Sequence, residues 1–191
     1  HLGQDARAIA DQGVGAGDRV VAWMPNTLES MVAMLGAASL GAVFSSCSPD
    51  FGADGVLDRF GQIEPVVLVA ADGYTYGGRA HDRRDELGRI LEGLPTLRAV
   101  VVVPFLSDAP DLGGIATRSG APAVTWSDWL APHVGAEPQY ALLPFDHPWY
   151  VLFSSGTTGV PKCIVHRTGG VFLQHLKEHR FHLDIGPGDR V

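Results

Sequence analysis

Along the first hundred residues, continuous apolar runs alternate with segments whose apolar positions recur every three or four residues. The runs cover residues 20–24 (VVAWM), 42–45, 66–70 (VVLVA) and 99–103 (AVVVV). Each is strand-length and almost wholly apolar, the pattern of strands buried on both faces. Between them the spacing is helical. A helix ending near residue 12 carries Ala6, Ile9 and Ala10 on one face and is halted by the glycines of GVGAGD. After Pro25, Asn26 is placed to cap a second helix with Glu29 as its capping-box partner; Met31, Met34, Leu35 and Ala38 form its apolar face and Gly41 ends it. Asp54 is placed to cap a third, through Val56, Leu57, Phe60 and Ile63, which Pro65 closes. A Gly/Tyr loop then leads into a charged amphipathic helix over 81–92. This order predicts an α/β fold: a mostly parallel sheet with helices on both faces.

From 104 to 148 the pattern loosens. Seven prolines and several glycines read as a long irregular connection, although Trp126 and Trp129 in TWSDWL predict a short helix pinned to the core. Residues 149–153 (WYVLF) and 163–165 (CIV) read as two further strands, and 168–182 as a helix. Gly-Asp-Arg-Val occurs twice, at 17–20 and 188–191, predicting two similar strand entries. The organisation expected is one partial domain in three stretches: an alternating half (1–103), a connection (104–148), and two strands with their loop and helix (149–191).

That loop, residues 154–162 (SSGTTGVPK), concentrates the candidate chemistry. Gly156 and Gly159 reach backbone conformations closed to other residues and bring N–H groups close to an anion. Ser154, Ser155, Thr157 and Thr158 add hydroxyl donors, and Lys162 a point charge. The spacing is not that of the ATPase P-loop, because Pro161 precedes the lysine and Cys163 follows it. A phosphate-binding loop and a plain Ser/Thr/Gly surface turn are the two readings.

Composition narrows the classes. Charged residues are 18% and apolar residues 46%, which argues against disorder. A net charge of −7 argues against a nucleic-acid partner. No apolar run approaches the ~20 residues that span a bilayer, so no membrane partner is expected. Two cysteines, Cys47 and Cys163, make no disulfide framework, and a cytoplasmic location follows as the default. His175, His179 and His182 stand at helical spacing, as a metal face or a solvated one, and no metal site is expected. His166 reads either as a neighbour of the bound anion or as a hydrogen-bonded histidine at a strand end. Cys47 reads better as a small buried side chain than as a nucleophile. The chain opens at His1 without a methionine and is read as a fragment.

The loop pattern (S/T)SGTTGxPK resembles that of the adenylate-forming enzymes. The stretches SSCSPDFG, VLDRFGQIEP, DGYTYGGR and VHRTGGVFLQHLKEHRFHLDIGPGDR narrow the resemblance to their acetoacetyl-CoA synthetase family. Cys163, Arg167 and Thr168 depart from its usual pattern beside the loop. The resemblance implies part of a large N-terminal domain and a two-step ligase. ATP and acetoacetate give an acyl-adenylate and pyrophosphate, and CoA then displaces AMP, as in ketone-body and lipid metabolism. It also implies Mg²⁺ and small-molecule partners only. Gly156, Thr157, Thr158 and Gly159 would cradle the β- and γ-phosphates, Ser154 and Ser155 would support them, and Lys162 would neutralise charge. The adenine, ribose and acyl sites and a catalytic lysine would lie beyond Val191, leaving the fragment inactive. Another short acyl acid, or a non-catalytic phosphate-binding or scaffold module, are the alternatives.

Overall fold

The computed structural model of the chain describes residues 2–154 and 159–190. Its large sheet contains β1 (Arg19–Trp23), β2 (Val43–Cys47), β3 (Val67–Ala71), β6 (Ala99–Val103), β7 (Ala123–Thr125), β8 (Pro148–Phe153) and β9 (Cys163–Arg167). The spatial order is β7-β6-β3-β1-β2-β8-β9. All neighbours run parallel except β8 and β9. The expected α/β architecture is therefore present.

Alternation along the central strands builds two cores. Val20 and Ala22 of β1, Val67 and Val69 of β3, and Val101 of β6 face one side. There they meet α1 (Leu2–Asp11), α2 (Leu28–Ser39) and α6 (Trp126–Leu130). Val21, Trp23, Leu68 and Val100 face the other, against α3 (Ala53–Phe60) and α4 (Arg84–Glu92). Both faces of these strands are covered, which is why their sequences read as unbroken apolar runs.

Several local expectations are corrected. Asn26 is not the cap of α2; Thr27 holds that position, and its side chain makes no capping hydrogen bond. The buried face of α2 is Ala33, Gly36, Ala37 and Ser39, while Met31 and Leu35 are exposed. Small residues win because α1 lies close against α2: a Cβ on Gly36 would stand 2.0 Å from Asp5 Oδ2. Asp54 sits inside the first turn of α3, whose cap position is Gly52. The Gly/Tyr loop is a hairpin of β4 (Gly73–Tyr76) and β5 (Arg79–Asp82), turned by Gly77 and Gly78 at φ +56° and +74°. Positive φ at both central residues is the signature of a type I′ turn. The next helix accordingly begins at Arg84 rather than at 81.

The stretch 104–148 is less irregular than its composition implies. It contains α5 (Leu112–Ser119), capped by Asp111, and β7, as well as the expected tryptophan helix with Trp129 and Leu130 buried. The last helix, α7 (Thr168–Lys177), passes into a π-helical turn over Glu178–His182. It buries Val171 and leaves Phe172, Leu173 and Leu176 exposed.

The two Gly-x-Gly-Asp segments adopt the same turn. In each, the aspartate N–H donates back to the first glycine carbonyl (Asp18 to Gly15, 3.1 Å; Asp189 to Gly186, 3.2 Å). In each, the first glycine N–H donates to the aspartate Oδ2. The third residue is left-handed, Gly17 at φ +87° and Gly188 at +96°. This is type II geometry, which favours proline at its second position. Pro187 occupies that position in one copy and Ala16 in the other. Ala16→Pro is expected to stabilise the chain by about 0.5 kcal/mol through the unfolded state, a rise of about 1–2 °C in Tm. A lowered Tm in calorimetry contradicts the shared geometry.

Candidate functional site: a hairpin loop and a crevice at the carboxyl edge

β8 and β9 form a hairpin whose ladder begins at Pro148↔Arg167 and, after a shift in register, runs from Tyr150↔His166 to Phe153↔Cys163. One more pair closes the neck of the loop. Ser154 N–H donates to Lys162 O at 3.1 Å, and Lys162 N–H donates to Ser154 Oγ at 3.3 Å. Ser154 thus spends its hydroxyl on the loop's own backbone, while the Lys162 side chain is exposed. Gly159 adopts φ +97°, a conformation that strains any residue with a Cβ. The return leg is tied to the turn after α3: Gln62 Nε2 donates to Pro161 O at 2.9 Å, and the Cys163 thiol donates to Gln62 Oε1 at 3.5 Å. Ser155, Gly156, Thr157 and Thr158 lie outside the described residues.

The hairpin joins the parallel sheet by a slender seam. Between β2 and β8 the register holds a single pair, Phe44↔Tyr150. The buried Ser45 hydroxyl reinforces it by donating to Val151 O at 2.7 Å. At the base, His147 Nε2 lies 2.7 Å from Gly41 O, and Thr168 N–H donates to His147 O. Ser45→Ala should cost about 1–3 kcal/mol, because the Val151 carbonyl stays buried and loses its partner. Urea unfolding measures the loss. Amide exchange should quicken in β8 and β9 before the central strands, and unchanged exchange there would show that Ser45 does not hold the seam.

Histidine and cysteine candidates resolve differently. His166 stacks on Tyr150, ring centroids 4.8 Å apart, at the end of the hairpin away from the loop. Three strand residues lie between it and Lys162, a rise of about 13 Å over four steps, so it is seated against an aromatic ring and not at the loop. Cys47 is buried, and burial pushes its thiol up to about 11, which keeps it protonated and un-nucleophilic. His175 and His179 stack with centroids 6.2 Å apart. Among the described residues, no three His, Cys, Asp or Glu side chains are grouped to hold a metal.

A second feature escaped the sequence reading. The chain leaves β1 toward α2 on one face and leaves β2 toward α3 on the other. In this strand order the chain leaves β1 toward one edge and β3 toward the other, so the topological switch point lies between β1 and β3, and a crevice opens beside it at the carboxyl ends of β1 and β2. Here the crevice has a volume of about 260 Å³. Asn26 and Ser30 line it from the β1 side, Ser46, Ser48 and Asp50 from the β2 side, and Tyr74 and Tyr76 from the β4–β5 hairpin. No lysine or arginine lines it. The signal lay in the sequence as polar residues placed just where two apolar runs stop.

A doubly covered, mostly parallel sheet with a glycine- and hydroxyl-rich loop between its last two strands places the chain in the class of α/β nucleotide-handling domains. More particularly, the chain belongs to the AMP-binding enzyme family, whose description matches residues 2–191. It is 50% identical over 187 residues to an acetoacetyl-coenzyme A synthetase of Rhizobium meliloti (strain 1021), covering 97% of this chain and 28% of that protein. It is 42% identical over 177 residues to a malonamoyl-CoA synthetase of Penicillium aethiopicum, covering 91% of this chain and 24% of that protein. The solved acetoacetyl-CoA synthetase from Streptomyces lividans superposes with a TM-score of 0.87 at 46% identity, covering 99% of this chain and 28% of that one. The chain thus spans about a quarter of the length of these relatives.

Proposed function

We propose that this chain is part of an ATP-dependent, AMP-forming acid–thiol ligase that activates acetoacetate and passes it to CoA. The observation that carries the reading is the closed neck of the 154–162 loop, with left-handed Gly159 and exposed Lys162, in a chain of the AMP-binding enzyme family. When the acid's carboxylate attacks the α-phosphorus, negative charge gathers on the departing pyrophosphate. Preorganised donors aimed at that charge lower the barrier most. In this reading Gly156, Thr157, Thr158 and Gly159 cradle the β- and γ-phosphates, Ser155 supports them, Ser154 fixes the neck, and Lys162 neutralises charge. Bound Mg²⁺ would supply further neutralisation of the same charge; among the described residues, no three His, Cys, Asp or Glu side chains are grouped to hold it.

The crevice suits a different ligand. With Asp50 and no lysine or arginine in its lining it gives no charge partner to a phosphate or a carboxylate, whereas its hydroxyl, amide and phenol groups match an uncharged chain bearing amides. Of the three substrates, CoA carries such an arm, and the reading places it there. The exposed apolar side chains of α7 and β9 fit a protein in which further polypeptide packs on them. A cytoplasmic location belongs to the same reading, and neither Cys47 nor Cys163 forms a disulfide. Among the described residues, no helix is long and apolar enough to cross a membrane.

The test is pyrophosphate release by the protein at its natural length, against acetoacetate, acetate, propionate and malonamate. Acetoacetate should give the highest kcat/KM. Preference for another acid would change the substrate assigned, and no release with any acid would favour a non-catalytic phosphate-binding module. The 191-residue chain by itself should release none.

A further inference from the structure

The residue that organises the outer wall of the crevice does not touch it. Asp72 follows β3 directly and is buried, with 1% of its surface exposed. Its Oδ1 accepts the backbone N–H groups of Phe105 and Leu106, and its Oδ2 that of Ser107, each at 2.8 Å. Its own carbonyl accepts Arg83 N–H at 3.0 Å, on the far side of the hairpin. Asp72 thereby clasps both ends of the β4–β5 hairpin and the segment after β6. The fit at the base is close: a Cβ on Gly73 would stand 2.3 Å from Leu106 Cδ1 and 2.4 Å from His81 O. Above the base, Tyr74 stacks on His81 with centroids 4.9 Å apart, and its hydroxyl accepts Arg83 Nη2 at 3.1 Å. Toward the tip, Tyr76 is 76% exposed and borders the crevice with Tyr74.

A two-stranded hairpin outside the main sheet is marginal without such support. A buried carboxylate holding three backbone donors is an expensive device for tying down a surface segment, since an ionised group must be fully hydrogen-bonded to be buried at all. Its position makes sense if the hairpin must stand at a fixed angle to the crevice. We infer that Asp72 is a positioning residue, which acts through the β4–β5 hairpin to hold Tyr74 and Tyr76 against the thiol substrate. The inference rests on the assignment of the crevice to the arm of CoA.

The test compares Asp72→Asn and Tyr76→Ala with the wild type, in the protein at its natural length. Asparagine keeps one carbonyl acceptor but turns an NH₂ toward the Ser107 N–H. It should raise the KM for CoA at least fivefold, leave the KM for ATP and acetoacetate in pyrophosphate exchange within twofold, and quicken amide exchange over 73–82 and 105–107. Tyr76→Ala, at an exposed tip, should reproduce the CoA effect without the faster exchange at 105–107. An unchanged CoA KM in either variant overturns the inference. So does a parallel change in all three KM values that follows the folded fraction, which a merely structural role would produce. CoA affinity by calorimetry separates this outcome from failure of the functional reading. Weaker CoA binding by Asp72→Asn sustains the inference even if acetoacetate proves not to be the acid, and a wild type that binds no CoA overturns it.

Discussion

Lys162→Ala, in the protein at its natural length, is expected to slow adenylate formation by roughly a hundredfold, about 3 kcal/mol of transition-state stabilisation. The loop presents this ammonium exposed at its neck, with Pro161 fixing the backbone before it and the Ser154 pair fixing the backbone around it. Acetoacetate-dependent exchange of pyrophosphate into ATP measures the step. The chain supplies its own control, because lysine occurs only at 162 and 177 and Lys177 lies on α7 beside Glu178. Lys177→Ala should exchange at the wild-type rate. Arginine at 162 should recover little, since a planar guanidinium is a poor substitute for a compact charge at a crowded phosphate. Wild-type exchange by Lys162→Ala would remove the loop from the chemistry.

Asp5 carries the second large effect, on stability rather than rate. It is fully buried in α1 against Gly36 of α2, and neither carboxylate oxygen has a hydrogen-bond partner among the described residues. Burial pushes its pKa up to about 8, against about 4 in the unfolded chain. The folded state therefore holds this proton more tightly than the unfolded state does. Stability from this group is complete below pH ~4, falls as pH rises by up to ~1.4 kcal/mol per unit, and is lost above about pH 8. At neutral pH the deficit is on the order of 3–4 kcal/mol. Asp5→Asn should flatten the profile: urea unfolding should show the variant more stable than wild type at pH 8 and equal to it near pH 4. Parallel profiles at every pH would mean that the carboxylate is solvated or paired.

Much of the architecture was legible because burial on two faces leaves a plain mark. The β6 strand was readable to the residue as AVVVV, and β1 and β3 to within one position. Helix faces were harder. In α2 the large side chains Met31 and Leu35 outweighed Ala33 and Ala37 on paper, whereas close approach to α1 selects for small volume and puts the alanines inside. α5 was hidden because it buries no residue, so its sequence carries no periodic demand. The hairpin at Gly77–Gly78 was marked by a glycine pair that should have been read as a turn between two strands. Of the candidate site, Ser154, Gly159 and Lys162 were singled out by the loop's composition, and the structure places Ser154 and Lys162 at its closed neck. The crevice was not, because its lining is assembled from segments that follow three separate strands, which no local window contains. Asp72 was invisible for a related reason: its three partners lie more than thirty residues away.

The slender seam between β2 and β8 also bears on how the molecule is assembled. β1, β2, β3 and β6 pair across short separations in sequence and in full registers of four or five residues. The hairpin that carries the loop must close a span of 106 residues to place Val151 on Ser45, and between the two strands it gains one registered pair and one hydroxyl contact. Such a closure carries an entropy penalty before it gains contacts, and non-local pairing of this kind is slow. The hairpin that carries the 154–162 loop is thus expected to dock last in folding, on five parallel strands that pair without it.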